Sequence, residues 1–128
     1  MKKILILILS FIALFSSELS MDNMIVRISD IKIYPEYLNE YLTYAKEVAE
    51  TSMEKEKGVI ALYPMIVIKD NTQIKILEIY KNQVAYEEHI KTKHFQKYKQ
   101  GTLHMVKSLE LIDTYQLSEK NFKRIFKY

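Results

Sequence analysis

Two of the three histidines in this chain of 128 residues, His89 and His94, lie five positions apart, and they are the side chains best suited to acid–base chemistry. Histidine is the side-chain type whose ordinary pKa lies nearest neutrality, which suits it to take a proton from a phenol or quinol. On one continuous helix this spacing turns the two rings ~140° apart, whereas a helical metal-ligand pair needs a spacing of three or four. We therefore predict no metal site. A helix break at Thr92 would instead allow both rings to border one cavity.

The composition excludes several kinds of functional site. The chain has no cysteine, which excludes disulfides, thiolate nucleophiles and zinc–thiolate centres. Its two glycines, Gly58 and Gly101, are too few for a glycine-rich phosphate loop. No cofactor motif is present, and we expect no resident cofactor. The ten tyrosines, in a chain without tryptophan, instead favour an aromatic-walled pocket.

Residues 1–20 are typical of a secretory signal peptide. Lys2 and Lys3 precede an apolar run that is shorter than the ~20 residues of a membrane-spanning helix. We expect an exported protein, periplasmic or secreted. The alternatives are an uncleaved anchor or an internal start at Met21 or Met24, which would give a cytoplasmic product.

The positive net charge of +3 is concentrated at the two ends of the chain. Residues 119–128 form a basic amphipathic tail, whereas the body at 21–118 is close to neutral, which argues against a nucleic-acid partner. The tail is expected to pack across a partner subunit, to be disordered, or to bind an anionic membrane surface. Together with residues 1–20, it is the only segment expected to touch a membrane.

The periodicity of apolar residues predicts one domain at 21–118. Its elements are a strand at 24–34, a helix at 36–55, strands at 59–68 and 72–80, helical segments at 83–91 and 94–100, and a strand at 106–117. This β-α-β-β-α-β order predicts the α+β class with a ferredoxin-like split βαβ fold. Helices on one sheet face leave the other face to be buried by a partner, a ligand or both.

Local signals refine this prediction. Pro64 places the second strand at an edge or a bulge, and Asp70 with Asn71 predicts the following hairpin turn. The charged run of Lys55, Glu56 and Lys57 is expected to be solvated helix surface.

The sequence from Gly58 onward resembles the antibiotic biosynthesis monooxygenase family, which includes small quinol monooxygenases. The similar stretches are G-V-I-A-L-Y-P-M and I-K-I-L-E-I-Y-K-N-Q-V-A-Y-E-E-H-I-K-T-K-H-F-Q-K-Y. The most specific part is His89, a short polar break, and then His94 followed by Phe95. The resemblance covers about residues 24–118. It implies a homodimer in the form of a dimeric α+β barrel, a pocket between sheet and helices, and oxygenation of electron-rich aromatics without metal or flavin.

The haem-degrading relatives in the superfamily differ from this chain at three positions. Their first-strand asparagine falls near Ile28, their tryptophan on His89 and their axial histidine on Lys99. None of these is matched, which disfavours haem degradation.

The residues of the candidate site are inferred from the family resemblance and from the alternation of side chains along the strands. His89 is the candidate base, with packing of the helix against the sheet as the alternative role. Glu78 and Tyr80 share a sheet face, and Arg27 on the first strand is a plausible ionic partner for Glu78. Tyr63 is also expected to face the interior. With His94, these side chains form the expected substrate pocket.

The resulting hypothesis is a cofactor-independent monooxygenase that oxidises a quinol or a similar small aromatic molecule. The competing hypothesis is a dimeric module of the same fold that binds a hydrophobic or aromatic ligand without turning it over.

Overall fold

A computed structural model describes residues 20–128 of the chain. The predicted signal peptide therefore lies, apart from its last residue, outside the described residues. Within residues 20–128, none of the helices combines the length and the hydropathy needed to cross a membrane.

The described chain forms a four-stranded antiparallel sheet and four α-helices. The elements are β1 (Ile25–Ile33), α1 (Leu38–Lys55), β2 (Val59–Val67), β3 (Asp70–Tyr80), α2 (Gln83–Lys91), α3 (Lys93–Thr102), β4 (Val106–Thr114) and α4 (Glu119–Phe126). The strand order is β2-β3-β1-β4, with β1 and β3 in the centre. This arrangement confirms the predicted α+β, ferredoxin-like fold, and Pro64 lies, as predicted, on an edge strand.

The main core lies between the sheet and α1, because alternate residues of the central strands point to the same face as the apolar side of this helix. Ile31 and Ile33 of β1 and Ile74 of β3 pack with Tyr41 and Ala45 of α1, and all five are buried. This packing determines which side chains of β1 and β3 face the helices. The strand residues of the candidate site are among them.

The two short helices α2 and α3 are separated by a sharp break at Thr92. The Thr92 hydroxyl donates to the carbonyl of His89 at 2.7 Å, which closes α2, and accepts from the Phe95 N–H at 3.2 Å, which begins α3. Thr92 itself is extended, with φ −65° and ψ 152°. The predicted break is thus present, and the two histidines belong to different helices.

The hairpin between β2 and β3 turns at residues 68–69, two positions earlier than Asp70 and Asn71 predicted. Asp70 instead begins β3, where its carboxylate accepts from the N–H and the hydroxyl of Thr72 and pairs with Lys32 of β1. These contacts hold Asp70 in the strand, so the turn is formed by the two residues before it, Ile68 and Lys69.

The C-terminal tail is a helix that packs against its own sheet, so the expectation of a disordered tail is wrong, whereas contact with a partner subunit or a membrane stays a prediction. Ser118 caps α4 by accepting from the Asn121 N–H at 3.1 Å. Phe122 is 5% exposed and packs with Ile60, Ala61 and Ile79 on the sheet face opposite to α1. The apolar side of α4 is therefore already covered by the sheet.

We predict that Phe122→Ala lowers the free energy of unfolding by about 3 kcal/mol, because it empties a buried aromatic site. Ile125→Ala is the matched control, since Ile125 is exposed on the same helix and should change stability by less than about 0.5 kcal/mol. Urea denaturation measures both variants. Equal losses in the two would contradict the packing of α4 described above.

Candidate functional site

A cavity of about 540 Å³ lies between the sheet and the α2–α3 pair. Its floor is formed by helix-facing residues of β1, β3 and β4, and its wall by residues of α3. The helices leave β4 partly uncovered, so that Leu109 and Leu111 line the cavity while remaining nearly half exposed. The volume is in the range of small-molecule sites.

Glu78 is the only carboxylate that lines this cavity in the described part of the chain. It accepts a hydrogen bond of 2.6 Å from the Ser29 hydroxyl and one of 2.9 Å from the Tyr80 hydroxyl. Burial and the negative charge of Glu78 raise the pKa of Tyr80, so Tyr80 stays protonated and donates. The predicted common face of Glu78 and Tyr80 is observed.

Arg27 also lines the cavity, but its ionic partner is Asp113 rather than Glu78. Arg27 lies opposite Glu78 in the β1–β3 register, yet its Nε donates to Asp113 on β4 at 2.8 Å. Its guanidinium carbon is 4.9 Å from the centre of the Tyr86 ring. Burial alone would lower the pKa of Arg27, but the contacts with Asp113 and Tyr86 outweigh it and raise the pKa. Arg27 therefore remains a cation at the cavity wall.

The charge balance of the lining favours an anionic or electron-rich ligand. Lys99 and Lys107 line the cavity together with Arg27, against the single carboxylate of Glu78. The remaining wall is largely aromatic and aliphatic, which suits a flat apolar ring.

Tyr98 is a lining residue that the sequence analysis missed. Its hydroxyl lies 2.6 Å from that of Tyr41, and burial raises the pKa of both phenols. The sequence contained a signal for Tyr98, because it lies four positions after His94 and therefore on the same face of α3.

His89 is 2% exposed and does not line the cavity. Its ring centre lies 5.2 Å from that of Tyr80 and 5.0 Å from that of Phe95, and both of these residues do line it. His94 is likewise absent from the lining. The structure therefore places both histidines behind the cavity wall.

Tyr63 differs most from expectation, because it is 63% exposed on the sheet face opposite to α1 and lines no described cavity. The cause is a register irregularity between Val59 and Ala61, after which Leu62 takes the core-facing position.

Glu56 is the second functional candidate that the sequence analysis missed, because it was interpreted as solvated surface. Its side chain is only 13% exposed. One carboxylate oxygen, Oε2, lies 2.9 Å from His89 Nδ1 and 2.6 Å from His94 Nε2. Burial would raise the pKa of Glu56, but the hydrogen bonds from His94 and His89 outweigh it and lower the pKa.

This Glu56–His89–His94 triad places one oxygen and two nitrogen atoms within 4.8 Å of one another. These atoms are of the types that bind transition metals. The spacing argument against a shared metal assumed a continuous helix, and the break at Thr92 removes that assumption.

We predict that Glu56→Gln lowers the free energy of unfolding at pH 7 by about 2 kcal/mol, through the loss of charge-assisted hydrogen bonds. Because folding lowers the pKa of Glu56, this contribution is present above its ordinary value of 4.5 and is lost as the pH falls through the lower folded value. Urea denaturation from pH 7 to pH 3 should show the two proteins converging. Glu54→Gln, at an exposed site, is the control; a constant difference across this range would contradict the assignment.

Comparison with known proteins agrees with this architecture. Residues 24–101 match the sequence profile of the antibiotic biosynthesis monooxygenase family. A candidate enzyme of that family from Bacteroides thetaiotaomicron is 48% identical, with a TM-score of 0.76 over 77% of this chain and 94% of that one. A candidate monooxygenase from Lactobacillus acidophilus is 27% identical, with a TM-score of 0.70 over 72% of this chain but only 44% of its own.

A protein from Nitrosomonas europaea at 16% identity, with a TM-score of 0.70 over 76% of this chain and 93% of its own, shares the fold. No curated protein matches the chain. The profile match and the similarity to the Bacteroides protein establish that this chain belongs to the antibiotic biosynthesis monooxygenase family.

Proposed function

We propose that this protein is a cofactor-independent monooxygenase that oxidises a quinol or a similar small phenol in the cavity between sheet and helices. The observation that carries the proposal is a cavity of about 540 Å³ whose largely apolar lining includes one carboxylate, Glu78, and the cations Arg27 and Lys99. Membership of the family supports the reaction type.

The first step of such a reaction is loss of the phenolic proton, because the anion passes an electron to O₂ far more readily than the neutral phenol does. In this proposal Glu78 accepts the proton, and Arg27 and Lys99 stabilise the aromatic anion. The balanced reaction converts a phenol and O₂ into a quinone and water. One oxygen atom enters the ring, the other leaves as water, and the ring supplies four electrons.

His89 has a different role here from the base expected from the sequence. A substrate in the cavity is separated from His89 by Tyr80 and Phe95, which line it. We therefore assign His89 as a positioning residue that holds Tyr80, whose hydroxyl in turn orients Glu78. His94 lies behind the same wall, and Tyr63 has no part in the site.

We predict that Glu78→Gln lowers the rate of O₂ consumption with a panel of quinols and naphthols by about 100-fold, since it removes the proton acceptor but keeps the shape. Glu88→Gln, at an exposed position on α2, is the matched control and should keep the wild-type rate. An oxygen electrode and mass spectrometry with ¹⁸O₂ measure rate and incorporation.

A wild-type rate in Glu78→Gln would overturn the role of this carboxylate. Saturable binding of the same phenols without any O₂ uptake would favour the competing function, a non-catalytic module for an aromatic ligand.

We also propose that the protein is a homodimer that buries the sheet face opposite to α1. The support is the row of apolar side chains that α4 leaves accessible there, with Tyr63, Met65 and Ile112 all more than a third exposed. In sedimentation experiments we predict a dimer for the wild type and a monomer for Ile112→Glu, because a charge would be buried in the interface. Leu117→Glu, at a fully exposed residue beyond β4, should remain dimeric. A monomeric wild type would contradict the proposal.

A further inference from the structure

We propose that the Glu56–His89–His94 triad is a binding site for a single divalent transition-metal ion of the zinc class. It is separate from the cavity, since none of the three residues lines it. The inference therefore does not depend on the proposed oxygenation.

The first argument is the donor set. One carboxylate oxygen and two imidazole nitrogens are ligands typical of Zn²⁺, with a water molecule as the fourth ligand. All three donor atoms lie within 4.8 Å of one another. A tetrahedral zinc ion holds its ligand atoms roughly 3.3 Å apart. The Glu56 oxygen, now at hydrogen-bond distance from both rings, would move outward slightly, and the two rings would approach each other.

The second argument is charge. In residues 20–128, no lysine or arginine forms an ion pair with Glu56, although its side chain is only 13% exposed. The side chains that its carboxylate contacts are instead the two imidazole rings of His89 and His94. A carboxylate this far buried is ordinarily paired with a cation or coordinates a metal. A divalent ion would supply that charge.

The third argument is position. Glu56 follows the last residue of α1, and His89 lies in the last turn of α2. The partial negative charges of these two helix ends favour a cation. His94, in the first turn of α3, is 17% exposed at its side chain, which gives the ion a route from solvent. A bound ion would tie together the ends of three helices.

Metal binding requires each ring to present a lone pair at the nitrogen that now faces Glu56. His89 would carry its proton on Nε2 and His94 on Nδ1, so the change is a shift of tautomer in both rings.

The test uses the full chain without a histidine tag, stripped with EDTA and titrated with ZnCl₂, with CoCl₂ as a spectroscopic probe. We expect one Zn²⁺ per chain by calorimetry, a visible Co²⁺ band typical of tetrahedral coordination, and a rise in Tm of about 5 °C at saturating zinc. MgCl₂ should have no effect, because Mg²⁺ prefers six oxygen ligands.

Two variants test whether the triad is the zinc-binding site. His94→Ala and Glu56→Gln should each weaken zinc binding by about 100-fold or more, and circular dichroism verifies that each remains folded. His104→Ala is the matched control, since His104 is the only other histidine and lies on the surface. Failure of the wild type to bind Zn²⁺, or binding that survives both triad variants, would overturn the proposal whatever the outcome of the oxygen assays.

Discussion

The break at Thr92 is the local constraint on which both candidate sites depend. A single hydroxyl closes α2 and begins α3, and the chain changes direction between two histidines that a continuous helix would point apart. The change of direction allows His89 and His94 to meet Glu56 on one side of the helix pair. It also allows Phe95 and Tyr98 to line the cavity. A threonine is well suited to this position, because its side chain can donate to one helix and accept from the next.

The fold was largely predictable because its signals are local. The alternation in β1 and β3, the apolar stripe of α1 and the cap at Thr92 each act within a few residues of the chain. The candidate site was predictable only where it depended on strand parity, as for Glu78 and Tyr80. Side-chain contacts between distant segments leave no such periodicity in the sequence, so the ion pair between Arg27 and Asp113 was not predicted.

Two further misassignments have physical causes that sequence patterns do not report. Tyr63 lies on the sheet face opposite to the predicted one, because a register irregularity in β2 reverses the faces of the side chains that follow it. Glu56 was interpreted as surface because it stands in a charged run, whereas its burial depends on helices that begin more than 25 residues later. In both cases the surroundings of the residue depend on the tertiary arrangement, which a local sequence pattern does not report.

The packing of α4 also has a consequence for how the protein forms. Phe122 and Phe126 share their small cluster with Met21 and Met24, so the beginning and the end of the described chain meet on one sheet face. A ribosome completes the four strands before it adds α4, and this corner stays open in the nascent chain until α4 emerges. The second cluster therefore cannot close before α4 has been synthesised, and a product truncated before α4 would keep an apolar corner exposed to chaperones and proteases.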